Sequence, residues 1–479
     1  MKLPAFKTKI VCTIGPASRS PAVLEELIKN GMNVARLNLS HGDFAEHAEN
    51  IRNINAAAKQ LGRTISIIID LPGAKLRIGR LPNGVVLKKG QNVIFSARQN
   101  TGNSAVIPVD YKYLAQSVYA GGIIYLSDGF IQLKVEKIQG PDVHCRVLMG
   151  GPLSSHKGIN LPGAKLFVDP VTSKDFRIID FGLKHGVTTF GLSFIENAGH
   201  IRKVRDFASR RGRTVYLIAK IERRGAIENF DEIVQASDGI MIARGDMGVE
   251  IPIEEVPMVQ KKLINKANLL GRPVITATQM LVSMTQNVRP TRAEANDVAN
   301  AIIDGTDALM LSEETAVGKY PVEAVKIMAK IAAVTESQCT NVEIAAQERQ
   351  YIQSAASNSQ QPVPDTISLN AVRAAEELGA KYILTPTTSG NTARRVSRFK
   401  PPCWVLSFSE QKETCRFLIF SYGVYPFWVA SKTGRQPQAM FKTIRHSRLV
   451  KKGDTVIITE RRLSRCPGET DSLGIVILE

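Results

Sequence analysis

The chain has 479 residues, enough for about two to four domains, with 44% hydrophobic residues and a formal net charge of +18. No apolar run approaches the ~20 residues needed to span a bilayer, and the opening MKLPAFKTKIVC lacks the long apolar stretch of a secretory leader, so a membrane or exported protein is disfavoured and a cytoplasmic one expected. The excess of cations calls for anionic partners; with no nucleic-acid-reading motif beside it, phosphorylated small molecules are expected rather than nucleic acid or a membrane.

In chain order, eight short β-branched or apolar runs appear: TKIVCTIG (8–15), NVARLNLS (33–40), TISIIIDL (64–71), TTFGLSF (188–194), TVYLIAKI (214–221), GIMIARGD (239–246), PVITATQM (273–280) and DALMLSEE (307–314). Segments with helical apolar spacing separate them, as in AVLEELIKNG and EVPMVQKKLINKANLLG, and glycine closes each. Strand followed by helix, eight times, predicts a closed parallel (β/α)8 TIM barrel. The rhythm breaks once. Between residues 71 and 168 short strand patterns and turn residues replace it, so a small β-barrel domain inserted after the third strand is expected. The pentapeptide LPGAK stands at both ends of this insertion, at 71–75 and 161–165. Its proline and glycine suit a chain turning sharply out of a barrel and back. After residue 345 a polar stretch leads into a fresh α/β alternation, read as a C-terminal α/β domain over 346–479. The barrel is then residues 1–70 with 169–345, and the lid 71–168. Six scattered cysteines (Cys12, Cys145, Cys339, Cys403, Cys415 and Cys466) form no CxxC pair and read as reduced thiols.

In such a barrel the chemistry sits where strands end at their C-termini. Those ends carry Arg36, Asn38 and Ser40; Asp70; Ser193; Lys220 and Glu222; Arg244, Gly245 and Asp246; Thr276 and Thr278; and Ser312, Glu313 and Glu314. Glu222 and Asp246, from neighbouring strands, offer the hard oxygens that Mg2+ or Mn2+ prefers; the alternative is a pair of salt-bridge acids serving Lys220 and Arg244. Lys220 lies two residues before Glu222 and therefore on the same side of its strand. A cation beside a metal site can stabilise a phosphoryl group and an oxyanion together.

With these residues in place, the chain resembles the pyruvate kinase family in KIVCTIGPAS (9–18), NVARLNLSHG (33–42), IAKIE (218–222), IMIARGDMGVEIP (240–252), ITATQMLVSM (275–284) and the long stretch 289–316. The resemblance spans the whole chain. It implies transfer of the phosphoryl group of phosphoenolpyruvate to ADP, giving pyruvate and ATP, with Mg2+ or Mn2+ as cofactor and a homotetramer as the assembly. It implies Lys220, Arg36, Thr278 and Arg77 as catalytic residues and Glu222 and Asp246 as metal ligands. Substrate would be held by Arg36, Ser193, Lys220, Gly245, Asp246 and Thr278. Asn38, Ser40 and Asp70 match the monovalent-cation region, in which Leu71 and Lys75 also lie, and His41, Arg77, Asp128 and Lys157 the nucleotide side. One departure stands out. Members that need K+ carry glutamate at the position of Lys75 and usually threonine at that of Leu71; a lysine brings its own ammonium, so K+ is not expected to be required. Glu313 and Ala74 also depart from the usual Gly and Pro, with no consequence assigned. The second LPGAK, ending in Lys165, receives no catalytic charge. Finally, TPTTSGNTARRVSRF (385–399) resembles the family's effector loop, so Thr387, Thr388, Ser389, Gly390, Asn391 and Thr392 are expected to hold a phosphorylated allosteric effector; the alternative is an ordinary helix cap. Whether that effector is fructose bisphosphate, a sugar monophosphate or AMP is left open. Two rival functions are weighed: another metal-dependent barrel enzyme, which would need no ADP-binding lid, and a non-catalytic phosphate or nucleic-acid binder, which would not need Lys220, Glu222, Asp246 and Thr278.

Overall fold

A computed structural model describes residues 3–82, 84–127, 129–338, 363–460 and 470–479. Asp128, Cys339, Cys466 and residues 461–469 of the last loop lie outside the described residues. Eight parallel strands close into a barrel: Lys9–Thr13, Met32–Asn38, Ser66–Leu71, Thr189–Leu192, Tyr216–Ile221, Gly239–Ala243, Val274–Ala277 and Ala308–Leu311, the first pairing with both the second and the last. Their sequences do not alternate because both faces are covered. In Ser66–Leu71 and Gly239–Ala243 every residue is buried. One face packs against the surrounding helices, and the other fills the barrel with Val11, Val34, Ile68, Ile218, Met241 and Met310.

The helices start and stop on local chemistry. Asp43 caps Phe44–Gln60 by accepting from Glu46 N, and Thr172 and Thr291 form reciprocal capping boxes with Asp175 and Glu294. The strands are shorter than the runs that mark them, and two runs end in a helical turn. GIMIARGD is extended only to Ala243; pairing with the next strand ends at Ala243↔Ala277, and Arg244–Glu250 turns into a short helix. DALMLSEE likewise stops at Leu311, and Glu313–Ala316 is helical.

The inserted segment, expected as a small β-barrel, is a six-stranded sheet beside a two-stranded ribbon around its own apolar core. Its outgoing and returning hinges pair with one another: Ile78 N donates to the Lys157 carbonyl, and Ile159 N to that of Leu76. Gly73, in the left-handed region at φ +59°, makes the sharp exit and donates its N–H to Asp175 Oδ1.

The C-terminal sheet runs Val424–Trp428, Trp404–Ser409, Tyr382–Pro386, Thr455–Glu460, Ser472–Ile477, parallel except for its last pair. This domain plugs the barrel floor. Phe417 and Phe420 join the cluster inside the barrel, and Phe417 stacks on Tyr216 with centroids 4.2 Å apart. No helix among the described residues is long and apolar enough to cross a membrane.

Candidate active site

The strand C-terminal ends converge on one buried lysine. The Lys220 ammonium donates to Ser193 Oγ at 2.7 Å and to Asp70 Oδ2 at 3.2 Å, and lies 2.8 Å from Glu222 Oε1. Asp70 in turn accepts from Arg36, whose Nε stands 3.1 Å from Oδ2 and whose Nη1 donates to Thr13 Oγ1 at 3.0 Å. The ends of strands one to five thus bring a guanidinium, an ammonium, two carboxylates and two hydroxyls into a network that is almost closed to solvent. Lys220 is 8% exposed, Asp70 2% and Glu222 1%. Gly191 allows this approach: a Cβ there would meet Asp70 Oδ1 at 3.0 Å.

The electrostatics follow from this packing. Burial alone would strip the proton from Lys220, but Asp70 and Glu222 outweigh it and hold the ammonium charged, above its ordinary value. Burial would likewise protonate Asp70, yet Lys220 and Arg36 prevail and keep it ionised. Glu222 goes the other way: burial first, and the nearby Asp246 charge with it, push its carboxyl up against the pull of Lys220. A buried carboxyl that burial pushes up, with a second carboxylate close by, makes a fitting donor pair for a hard dication. Glu222 Oε2 is already fixed by the Phe194 N–H at 2.7 Å. Among the described residues no group of three or more His, Cys, Asp or Glu side chains gathers as a ready-made cage. Glu222 and Asp246 could therefore hold an ion only with oxygens from substrate or water completing its shell.

The neighbouring loop is strained where the chemistry would be. Thr278 and Gln279 both sit in the left-handed region, at φ +68° and +54°. The Thr278 hydroxyl accepts from Gly245 N at 2.8 Å and donates to the Ala277 carbonyl at 2.6 Å. Arg244 does not serve Asp246. It pairs with Asp297 at 2.7 Å and donates to the Thr278 carbonyl at 2.8 Å, so it buttresses the strained turn. The cation on Asp246 is Lys75, its ammonium 3.3 Å from Oδ1.

Other residues marked in the sequence lie apart from this cluster. Asn38 Oδ1 accepts from Ser40 N, shaping the loop after strand two, and Leu71 is buried at the end of strand three. His41 is exposed, its carbonyl accepting from His47 Nε2. Arg77 and Lys157 stand on the lid hinge; Arg77 donates to the His156 carbonyl at 2.9 Å, and Lys157 is exposed. Thr276 points away from the site to Thr306 Oγ1. Glu314 accepts from Leu281 N and Ser312 N and ties two loops together, while Glu313 is exposed. The site also draws on Thr13 and Gly191, which the sequence does not mark. Thr13 closes strand one and was open to the same reading as the other strand ends. Gly191 carries no side chain to read.

In the C-terminal domain, residues 387–392 form a loop leading into the helix Asn391–Ser397, with Gly390 left-handed at φ +84°. Thr387 Oγ1 accepts from Gly390 N, Arg435 donates to Thr388 Oγ1 at 2.7 Å, and Thr392 Oγ1 meets Thr470 Oγ1 at 2.6 Å. Arg435 brings a cation to a loop of hydroxyls, although Glu410 partly neutralises it.

Comparison with known proteins agrees with this architecture. Residues 5–325 match the pyruvate kinase barrel domain and residues 365–476 the pyruvate kinase alpha/beta domain. A pyruvate kinase of Thermococcus litoralis is 48% identical over 463 residues, covering 96% of each chain. One from Geobacillus stearothermophilus is 44% identical over 459 residues, covering 95% of this chain and 77% of that one. The crystal structure of a pyruvate kinase from Cryptosporidium parvum superposes with a TM-score of 0.92 at 35% identity, over 99% of this chain and 97% of that one. By sequence, fold and the match of both domains, the chain belongs to the pyruvate kinase family of phosphotransferases.

Proposed function

We propose that the enzyme transfers the phosphoryl group of phosphoenolpyruvate to ADP, giving pyruvate and ATP, and that the residues around Lys220 carry the reaction. The observation that bears most weight is the buried Lys220, held between Asp70, Ser193 and Glu222. An ammonium fixed before the substrate arrives needs no reorganisation as negative charge builds on the enolate and transferring phosphoryl oxygens. Arg36 offers a second fixed cation for phosphate, oriented by Asp70 and Thr13. Ser193 steadies the lysine. Gly245 orients the Thr278 hydroxyl, which serves the substrate carboxylate and the proton delivered to the enolate carbon. Glu222 and Asp246 would hold Mg2+ or Mn2+, which supplies positive charge to the phosphoryl and enolate oxygens when bound. Arg77, Lys157, His41 and Asp128 would meet the nucleotide.

Lys75 in place of a glutamate supports turnover without K+: its ammonium is directed at the cluster rather than at solvent. The loop 387–392, with Arg435 beside it, is read as the seat of a phosphorylated effector. A homotetramer in the cytoplasm completes the proposal.

A pyruvate-coupled assay with phosphoenolpyruvate, ADP and Mg2+ tests it. Pyruvate should form at the same rate in buffers with and without K+. No pyruvate above a Lys220→Met control would overturn the reaction, and a rate that collapses without K+ would overturn the role of Lys75 alone.

A further inference from the structure

The two LPGAK segments meet in one cavity. It holds about 340 Å3 between the lid hinges and the barrel, and both lysines line it together with Phe194, Arg223, Glu196 and Glu250. The two lysines fare differently there. Lys165 stays exposed, 5.9 Å from the ring centroid of its neighbour Phe167. Lys75 crosses the cavity. Its Cε passes over Gly158 on the returning hinge, where an added Cβ would come within 3.0 Å, and its ammonium ends 3.3 Å from Asp246 Oδ1. That ammonium also lies 5.9 Å from the centroid of the Phe194 ring, whose other cationic neighbour is Arg223 at 5.2 Å, itself paired with Glu196.

Lys75 therefore fastens the outgoing hinge to the carboxylate read above as a metal ligand. An oxygen that accepts an ammonium gives less of its charge to a second cation, and two cations on one carboxylate repel each other. We propose that Lys75 and the divalent ion compete for Asp246, so that metal uptake unfastens the hinge from the barrel and links the metal site to lid movement. This rests on the reading of Glu222 and Asp246 as the metal carboxylates. Phe194 offers the displaced ammonium a neighbouring surface, so it need not leave the cavity.

The test is Mn2+ binding to the full chain, followed by electron paramagnetic resonance without substrate, for wild type, Lys75→Met, Lys165→Met, Glu222→Gln and Asp246→Asn. Lys75→Met should bind Mn2+ about three- to fivefold more tightly, the scale of one partly exposed ion pair. Lys165→Met removes an equal charge from the same cavity without a carboxylate contact and should leave the affinity unchanged. Amide hydrogen exchange in residues 71–78 should rise on adding Mn2+ to wild type and already be raised in Lys75→Met. Equal tightening in both lysine variants would reduce the effect to a long-range field and overturn the competition, as would unchanged or weaker binding in Lys75→Met. If Glu222→Gln and Asp246→Asn bind Mn2+ like wild type, the metal assignment itself falls and the competition with it. Loss of binding in those two variants beside an unaltered Lys75→Met would remove the competition alone.

Discussion

Two lysines stand buried at opposite ends of the barrel strands, and burial affects their charge in opposite ways. Lys220 ends strand five at the catalytic face and Lys9 begins strand one at the floor; they are 8% and 3% exposed. Burial disfavours the ammonium at both places. At Lys220 two carboxylates in direct contact reverse the outcome. At Lys9 the direct partners are the Val424 carbonyl at 2.8 Å and the face of Trp404 at 4.6 Å. The nearest acids, Glu336 and Asp307, are already engaged. Glu336 accepts from the Lys7 and Thr8 N–H groups, and Asp307 pairs with Lys400 at 2.9 Å and accepts from Val274 and Tyr422 N. Burial therefore prevails and Lys9 falls to about 7. What separates the two lysines is direct contact with carboxylates, which Lys220 has and Lys9 lacks. The catalytic face keeps a cation ready in this way, whereas the floor gives up a charge to pack two domains together.

The largest expected effect comes from removing the cation that the catalytic face retains. Lys220→Met should lower kcat by about 10²- to 10³-fold or more, the scale of one preorganised donor to a developing oxyanion. It also leaves Asp70 and Glu222 facing each other without their shared cation, so Tm should fall as well. Steady-state kinetics and thermal melts check the two parts separately. A kcat within tenfold of wild type would end the contrast, since both lysines would then be packing residues.

Lys9→Met is the counterpart. The folded form holds Lys9 at about 7 against an ordinary value of 10.5, so the unfolded chain binds the extra proton throughout that interval. Wild-type stability should therefore rise with pH from about 7 to 10.5, and the penalty should be fully felt below 7. Methionine abolishes that slope while losing the bond to the Val424 carbonyl, two changes that oppose each other near pH 7. Denaturant melts across this range should show a flattened profile in Lys9→Met, and kcat should stay within about twofold of wild type, the effect ordinarily expected away from a catalytic centre. An unaltered pH slope would mean that Lys9 keeps its proton after all.

The same comparison explains what the sequence revealed and what it concealed. The barrel was legible because its strands, buried on both faces, read as unbroken apolar runs, and because the segments between them carry apolar residues at helical spacing. The lysine, acids and hydroxyls of the site were legible because strand ends are marked by a sudden change from apolar to polar. Strand limits at Ala243 and Leu311 were not, since the runs ARGD and SEE look the same whether the chain continues extended or coils; only the end of pairing decides. Nor was the partner of Lys75. Sequence placed its charge in the monovalent-cation region, and the structure takes it across the hinge to Asp246. The meeting of the two LPGAK lysines in one cavity depends on how the lid folds back, which no local pattern records. Lys9 was not legible either: a lysine at the start of a strand reads as an ordinary solvated end, and only docking of the C-terminal domain buries it.

Glu250 carries the smallest effect and sharpens the contrast from the acid side. It lies at the end of the short helix after strand six, 8% exposed, in the cavity beneath the lid hinges. Burial raises its carboxyl to about 7; Arg223 and a hydrogen bond with Asn160 on the returning hinge oppose the rise, and Glu196 and Asp246 add to it. Because the folded value exceeds the ordinary 4.5, the stabilisation from its bound proton is complete below about 4.5 and disappears as pH climbs through 7. This slope is opposite to that of Lys9, although burial is the main cause of both shifts. Glu250→Gln fixes the neutral form and keeps a partner for Asn160. Its Tm advantage over wild type should grow between pH 5 and pH 8 by a few degrees, at about 2–4 °C per kcal/mol. A Tm difference that stays constant over that range would show that Glu250 is ionised throughout, and that this acid, like Lys220, has found a counter-charge.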